Sequence, residues 1–211
     1  RSGLLHGDTT GLSHLQLSEY PSTALLLDGE TLHVGTSRGE IWSVNVESLQ
    51  SIKVEKPSYQ DEDGVKLILK HQKNLIIVTE KSLTILETNG QIGWRWSAPR
   101  TIESVCVDFQ LGSKPHIVVN HGKGAEAEVT LLDADVGDVV VQIRAESTIH
   151  ALYSTSKFLI LGLESGEVFI LQGDLLSRRL ARESLSPEAE VKSIEERSSM
   201  MARLRALRKD D

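Results

Sequence analysis

Apolar and polar residues alternate in short runs along most of the chain, a pattern typical of β-strands that bury one face. Residues 32–44, LHVGTSRGEIWSV, form an apolar run, a polar turn of four residues that closes on Gly39, and a second apolar run. Two such runs around a short glycine-containing turn predict an antiparallel hairpin. Residues 159–171, LILGLESGEVFIL, repeat this arrangement near the other end of the chain.

The fixed offset between these two segments indicates an internal repeat. Gly162 follows Gly35 by 127 residues, and Gly166 follows Gly39 by the same number. Three repeats within this offset give about 42 residues each, the length of one four-stranded propeller blade. Two further copies are therefore expected in between. The four copies then share one repeated position, which is occupied by Trp42, Leu83, Val129 and Phe169. These residues are separated by steps of 41, 46 and 40 residues.

The repeat predicts an all-β fold, a partial or small β-propeller of about four blades, because stacked sheets cover faces that one short sheet leaves open. We assign the blades to residues 12–182 and an unperiodic linker to residues 1–11. The predicted strands of the first two blades cover residues 23–27, 31–35, 40–46, 50–55, 65–69, 75–78, 82–87 and 92–96. Those of the last two cover residues 104–108, 117–120, 128–132, 139–144, 148–153, 158–162 and 167–171, with a candidate last strand at 175–180.

The pattern changes near residue 186 and predicts a C-terminal amphipathic α-helix over residues 186–210. Ser186 is a suitable N-cap and Pro187 fits the first helical position, while basic residues accumulate toward the C-terminal end, where the helix dipole favours them. Apolar residues recur there at roughly helical spacing. They are the candidate partner-binding or coiled-coil residues: Val191, Ile194, Met201, Leu204 and Leu207. The alternative is that this helix folds back on its own blades.

Composition narrows the function further. The net charge of −7 argues against a nucleic-acid surface. Cys106 is the single cysteine, which excludes a disulfide within the chain, and we interpret it as a small buried apolar residue. No apolar run approaches the roughly 20 residues of a membrane span. Because the first residue is Arg1, we expect a fragment or a processed product.

Candidate metal and catalytic residues give weak signals. Asp133, Asp135 and Asp138 lack the spacing of a calcium loop and are interpreted as solvated carboxylates of a hairpin turn. His116 and His121 lack a third ligand and are interpreted as surface or loop residues. The other strand histidines, interpreted as edge or core residues, are His33 and His150. With no nucleophile elbow, P-loop or HExxH motif, we expect no catalytic, cofactor-binding or metal-binding residues.

Several turns resemble the repeat of quinoprotein-type propellers. VGTSRGEIWSV and LGLESGEVFIL are similar to its first strand-turn-strand half, and residues 131–143 and 86–96, LLDADVGDVVVQI and LETNGQIGWRW, are similar to its second half. The resemblance covers residues 23–172 and implies a propeller. The enzymes of that family bind pyrroloquinoline quinone and calcium at the ring centre, but their ligands and catalytic Asp have no assignable counterparts here. WD-type propellers are a second resemblance, although the Trp-Asp dipeptide is absent.

These observations favour a non-enzymatic protein–protein interaction scaffold, a propeller subunit of a larger multiprotein assembly whose C-terminal helix docks onto a partner. Such a helix allows homo- or hetero-oligomers. We expect no cofactor, no direct nucleic-acid binding and no membrane span, and an intracellular location, cytoplasmic or nuclear. The alternative is a fragment of a quinoprotein-like propeller enzyme that binds pyrroloquinoline quinone and calcium.

Overall fold

Antiparallel strands make up nearly all the regular structure of the computed structural model, which describes residues 2–8, 11–47 and 56–183. Strands β1 (Ser2–Asp8) and β2 (Gly11–Ser18) pair with each other as a hairpin. Four sheets then follow one another along the chain, and each is a meander in which consecutive strands pair. This is the architecture that the internal repeat predicts.

The four sheets are numbered in chain order. The first contains β3 (Ser22–Asp28), β4 (Thr31–Thr36), β5 (Glu40–Asn45) and β6 (Tyr59–Gln60). The second contains β7 (Leu67–His71), β8 (Asn74–Val78), β9 (Ser82–Leu86) and β10 (Ile92–Ser97). The third contains β11 (Ile102–Leu111), β12 (Lys114–His121), β13 (Glu128–Asp133) and β14 (Val139–Arg144). The fourth contains β15 (Ile149–Ser154), β16 (Phe158–Leu163) and β17 (Val168–Gln172).

Side chains alternate across each strand, so every sheet has two faces. We call the face toward the preceding sheet the rear face and the other the front face. The front face of each of the first three sheets packs on the rear face of the next sheet. The three cores contain, in turn, Ile41 with Ile77, Leu83 with Ile117, and Leu131 with Leu159. All six side chains are fully buried, so three successive hydrophobic interfaces hold the stack together.

A helix follows the last strand, where the sequence pattern predicted a strand at residues 175–180. Helix α1 (Gly173–Glu183) places Leu176 and Leu180 one turn apart, and both pack against the core that contains Phe109. Asp174 in the first turn and Arg182 in the last turn interact favourably with the helix dipole. The strand prediction was wrong because a six-residue window is too short to distinguish a period of 3.6 from a period of 2.

Two further expectations differ from the structure. The segment predicted as a linker contains β1, which pairs with β2 from Ser2 to Asp8. The repeat was also aligned one residue out of phase, since Trp42 lies on the rear face of the first sheet whereas Leu83 and Val129 lie on front faces. The front-face equivalents are Ile41, Leu83, Val129 and Val168. The predicted strand at residues 50–55 and the predicted helix at 186–210 lie outside the described residues.

Candidate interaction surface

The front face of the fourth sheet is an exposed apolar surface. Tyr153 on β15 pairs with Ile160 on β16, and Ile160 pairs with Ile170 on β17, so the three side chains form one row across the sheet. Tyr153 is 62% exposed and Ile170 is 64% exposed. Val168, also 64% exposed, extends the surface along β17. Contiguous exposed apolar residues of this kind mark interaction sites in folded proteins.

Internal comparison explains why this face is open. Val168 occupies the position of Ile41 in the first sheet, and Ile41 is fully buried by the second sheet. A Cβ added at Gly35 would lie 2.6 Å from Val65 Cγ1, whereas one at the equivalent Gly162 would meet only its own sheet, 3.2 Å from Ala151 Cβ. The fourth sheet therefore has the apolar front face of an inner blade without a following blade in the described part of the chain.

The rear face of the first sheet, at the opposite end of the stack, is only partly covered. Leu17 on β2 packs with Val34, Trp42 and Val44. Glu40 fixes this contact, since its carboxylate accepts hydrogen bonds from Ser18 Oγ and from Trp42 Nε1 at 3.1 Å. Two leucines on β3 remain 61% exposed on the same face: Leu25 and Leu27. The hairpin therefore leaves apolar surface at this end as well.

The five residues predicted to bind a partner, Val191, Ile194, Met201, Leu204 and Leu207, lie outside the described residues. The basic residues Arg178 and Arg182 are exposed on α1. Of the three aspartates weighed as calcium ligands, Asp135 and Asp138 are exposed in the turn after β13. Asp133 Oδ1 accepts a hydrogen bond from the Asp135 backbone N–H at 2.9 Å, as in an ordinary Asx-type turn.

The interpretation of His116 and His121 as surface or loop residues was wrong, because both are buried strand residues of β12. His121 is fully buried, and its Nε2 lies 2.9 Å from Thr130 Oγ1 and 3.7 Å from Glu128 Oε1. Burial lowers the pKa of His121, an effect that Glu128 opposes and Arg100 reinforces. Burial of His121 inside the third sheet therefore favours its neutral form.

A partly open pocket of about 260 Å³ lies between the first and second sheets, and His33, Ser43 and Ser58 are among its lining residues. His33 Nδ1 is 2.9 Å from Ser43 Oγ, and Ser43 Oγ is 3.1 Å from Ser58 Oγ. Burial lowers the pKa of His33, against a smaller opposing effect of Asp28. The arrangement satisfies a buried histidine with hydroxyl groups, as expected for the core or edge residue that the sequence predicts at this position. His150, by contrast, is exposed on β15.

A buried carboxylate that the sequence did not single out joins the first two sheets. The side chain of Asp61 is fully buried. Asp61 accepts hydrogen bonds from Tyr59 Oη at 2.9 Å, the Glu62 backbone N–H at 2.7 Å and Arg95 Nη2 at 3.1 Å. Burial and then the adjacent Asp61 raise the pKa of the Tyr59 hydroxyl. The polar run QDEDG around Asp61 does not predict its burial, because two of its hydrogen-bond donors, Tyr59 and Arg95, lie on separate strands.

Cys106 is partly buried, and burial raises the pKa of its thiol. In the described part of the chain, no three His, Cys, Asp or Glu side chains come together as a metal site. No helix within residues 2–8, 11–47 and 56–183 combines the length and the apolar character needed to cross a bilayer.

Solved structures decide the fold. The chain matches the computationally designed protein Ika4 with a TM-score of 0.58 at 14% identity, over 75% of this chain and 94% of that chain. It matches the WD40 domain of Neurospora crassa Pan2 with a TM-score of 0.52 at 18% identity, over 74% of this chain and 47% of that one. The fold is a β-propeller. The described sheets correspond to about half of that WD40 domain. The rear face of the first sheet and the front face of the fourth are therefore faces of propeller blades.

No protein-family model matches the chain. Among curated proteins, it is 25% identical over 142 residues to the PAN2-PAN3 deadenylation complex catalytic subunit PAN2 of Coccidioides immitis (strain RS). That alignment covers 67% of this propeller chain and 11% of the relative. The chain thus spans about a ninth of the length of that curated relative.

Proposed function

We propose that this propeller is a non-enzymatic scaffold that holds proteins together in a larger multiprotein assembly. The observation that carries the proposal is the exposed apolar front face of the fourth sheet, where Tyr153, Ile160, Val168 and Ile170 lie side by side. Such a face is rigid, because its strands are paired and its rear side is packed on the third sheet. Rigid apolar surfaces lose little conformational freedom on binding, which favours association.

Several propellers similar to this chain belong to protein complexes by their own names. The curated relative is a subunit of the PAN2-PAN3 deadenylation complex. One solved neighbour is part of a mitotic checkpoint complex, and another is BBS1N in complex with ARL6DN. These similarities support an assembly role for the present propeller. They also support our proposal of an intracellular location, cytoplasmic or nuclear, which imaging of the tagged protein tests.

We further propose that residues 186–210 form a helix that docks onto a partner through Val191, Ile194, Met201, Leu204 and Leu207. Amphipathic helices bind grooves through anchors at this spacing. Substitution of Ile194 and Met201 by Asp places charges within the apolar stripe and should abolish partner capture in a quantitative affinity purification. The β-sheet circular dichroism should stay unchanged, since both residues lie beyond the described sheets.

The matched control carries S199D and A206D. In an ideal helix with 100° per residue, these positions lie on the side opposite Ile194 and Met201, and the added charge is the same. Capture should survive in this control. Retained capture by the I194D/M201D variant would reject the docking helix.

Light scattering separates homo- from hetero-assembly. The full chain and a version that stops at Ser184 are compared for mass in solution. A dimer that becomes a monomer on shortening assigns the segment to self-association, whereas two monomers exclude self-association through it. If both versions are the same dimer, self-association occurs through the propeller and not through the C-terminal segment.

A further inference from the structure

The outer edge of β17 lacks a paired strand in the described part of the chain. In each of the first three sheets, the third strand pairs on both sides, with the second strand and with a fourth: β5 with β6, β9 with β10, and β13 with β14. Strand β17 is the third strand of the fourth sheet and pairs only with β16 among the described residues. Its other edge presents backbone groups that a further strand can satisfy.

The sequence of β17 is that of an inner strand. VFILQ contains neither a charged residue nor a proline, the residues that protect natural sheet edges. The outermost strands of the second and third sheets do carry such charges, Arg95 on β10 and Arg144 on β14. In the inner strands β9 and β13, nearly every side chain is buried, whereas four of the five in β17 are exposed.

Two equivalent glycines locate the missing segment. Gly39 and Gly166 have nearly the same backbone conformation, with φ of +81° and +87°. A Cβ at Gly39 would clash with the backbone carbonyl of Asp61, just after the fourth strand of the first sheet. A Cβ at Gly166 would have no described residue within 4 Å. The space beside the start of β17 is therefore open where a fourth strand and its following loop lie in the first sheet.

The carboxylate of Glu167 at this edge indicates which side chain a fourth strand would place opposite it. Glu128, at the start of β13, lies opposite Arg144 of β14 and 3.6 Å from its Nε, and it also accepts a hydrogen bond from Gln142 at 2.8 Å. Glu167 occupies the same repeat position immediately before β17. Its carboxylate accepts a hydrogen bond from Ser165 in the same turn, and no basic side chain of the described residues pairs with it. An arginine, lysine or glutamine opposite Glu167 would complete the arrangement.

The helix leaves this edge accessible. Helix α1 turns away directly after Gln172, and Leu176 and Leu180 pack toward the third sheet. The Gly173 backbone N–H donates to the Lys157 carbonyl at 2.9 Å, which fixes the start of the helix beside the β15–β16 turn. The described chain therefore continues on the rear side of the fourth sheet, away from the outer edge of β17.

We propose that the outer edge of β17 binds an extended segment of a partner protein, which adds as the antiparallel fourth strand of the blade. The segment carries apolar residues at alternate positions, beside Val168 and Ile170, and an Arg, Lys or Gln opposite Glu167. Strand addition of this kind draws affinity from main-chain hydrogen bonds and specificity from alternate side chains. The inference rests on the proposed scaffold function and specifies the class of partner that the scaffold holds.

The internal repeat supplies the probe. A synthetic peptide with the sequence of residues 138–146, DVVVQIRAE, contains β14, which pairs with β13 in the arrangement proposed for β17. We expect saturable binding of the labelled peptide to the full 211-residue chain by fluorescence anisotropy. We also expect slower hydrogen exchange, when the peptide is bound, at those amides of residues 168–172 that point away from β16.

Two N-methylated peptides test for strand addition. One is methylated at the amides of Val140, Gln142 and Arg144, and the other at those of the residues before each. Alternate amides point to the same edge of a strand, so one peptide should lose about tenfold or more in affinity while the other binds like the parent. Equal binding by both would overturn the proposal, because apolar adhesion needs no amide. Absence of saturable binding by the parent peptide would also overturn it.

A charge exchange tests the register. Glu167→Lys should lower the affinity for the parent peptide by about twofold to fivefold. A peptide with Glu in place of its arginine should recover that loss. Glu164→Lys, in the same exposed turn, is the control and should leave binding unchanged. A loss that the exchanged peptide fails to recover would reject the pairing of Glu167 with a cation.

Other occupants of the edge give distinct results. If the amides of residues 168–172 that point away from β16 are protected before peptide is added, the chain's own C-terminal segment or a second copy pairs with β17, and light scattering distinguishes these two. Either result would overturn partner-strand addition. The capture experiment with I194D/M201D uses neither the peptide nor the edge of β17 as its readout, so the scaffold proposal can stand when the strand proposal fails.

Discussion

Arg95 Nη2 donates a hydrogen bond to Asp61 Oδ1 across 3.1 Å, and this contact joins the fourth strand of the second sheet to the segment after the fourth strand of the first. Arg95 also donates to Ser82 Oγ at 3.1 Å, within its own sheet. The carboxylate is fully buried, whereas the arginine side chain is 39% exposed. Asp61 therefore depends on its hydrogen bonds, while Arg95 keeps part of its hydration.

Asp61→Ala should lower the free energy of unfolding by about 3 kcal/mol, because it leaves Tyr59, Arg95 and a backbone N–H without their acceptor. Urea unfolding followed by circular dichroism measures the change. Glu62→Ala, at the exposed neighbouring position, should cost less than about 0.5 kcal/mol. Equal losses in the two variants would mean that the buried network does not stabilise the first interface.

Gly39→Ala should destabilise the propeller more than Gly166→Ala, although both replace a glycine of positive φ. The backbone strain is shared, but only the Cβ at position 39 meets the Asp61 carbonyl. We expect a cost of about 1 kcal/mol at Gly166 and at least 1 kcal/mol more at Gly39, by thermal unfolding. A larger loss at Gly166 would show that the space beside β17 is filled.

Leu159→Ala and Ile170→Ala separate the two faces of the fourth sheet. Leu159 is fully buried against the third sheet, so its truncation should cost about 2–5 kcal/mol. Ile170 is 64% exposed, and its truncation should cost less than about 1 kcal/mol. Chemical denaturation of both variants measures the difference, and similar costs would mean that another part of the chain covers the front face.

The pH dependence of stability should include a contribution from His121. Its pKa in the folded protein is lowered by burial, so the unfolded chain binds more protons as the pH falls below about 6.5, the usual value. Stability is therefore lost as the pH falls from about 7 toward the lowered pKa, by at most about 1.4 kcal/mol per pH unit. His121→Gln should flatten this slope in urea titrations between pH 7 and 5. An unchanged slope would assign it to other groups, among them His33, whose pKa is also lowered.

Addition of pyrroloquinoline quinone and calcium tests the alternative enzyme hypothesis. We expect neither a bound chromophore in the absorption spectrum after desalting nor a calcium-dependent rise in melting temperature. A ligand that binds the folded state alone would raise the melting temperature as its concentration exceeds its dissociation constant. Such a rise would restore the quinoprotein hypothesis.

The pattern of apolar runs and turns was sufficient to predict the sheets. Ile41, Leu83 and Val129 belong to short runs flanked by turn residues, and those turns together with the internal repeat indicate strands. The phase of the repeat was harder, because Ile41 and Trp42 are both large and apolar, and only the neighbouring sheets decide which side chain faces forward. Helix α1 escaped prediction for the same reason, since the core around Phe109 selects Leu176 and Leu180.

The candidate surface could not be predicted from the sequence. Val168 looks like a core residue because its equivalents in the first three sheets are core residues. The equivalents of Ile170 in the second and third sheets, Ile85 and Leu131, are buried as well. The exposure of Val168 and Ile170 depends on the absence of a covering sheet in the described chain, a property of the assembled stack. Asp61 poses the opposite problem, because a carboxylate among polar neighbours looks solvated until Tyr59 and Arg95 converge on it.

The order of the three interfaces has a consequence for how the molecule comes apart. The second and third sheets are each packed on two sides, whereas the fourth, among the residues that the structure describes, is packed through its rear face and α1. In arrays where each unit contacts only its neighbours, stability is roughly a sum of unit and interface contributions. Fraying should therefore begin at the fourth sheet and progress toward the second. A partner bound to the exposed apolar face of the fourth sheet would then also stabilise this end of the stack against unfolding.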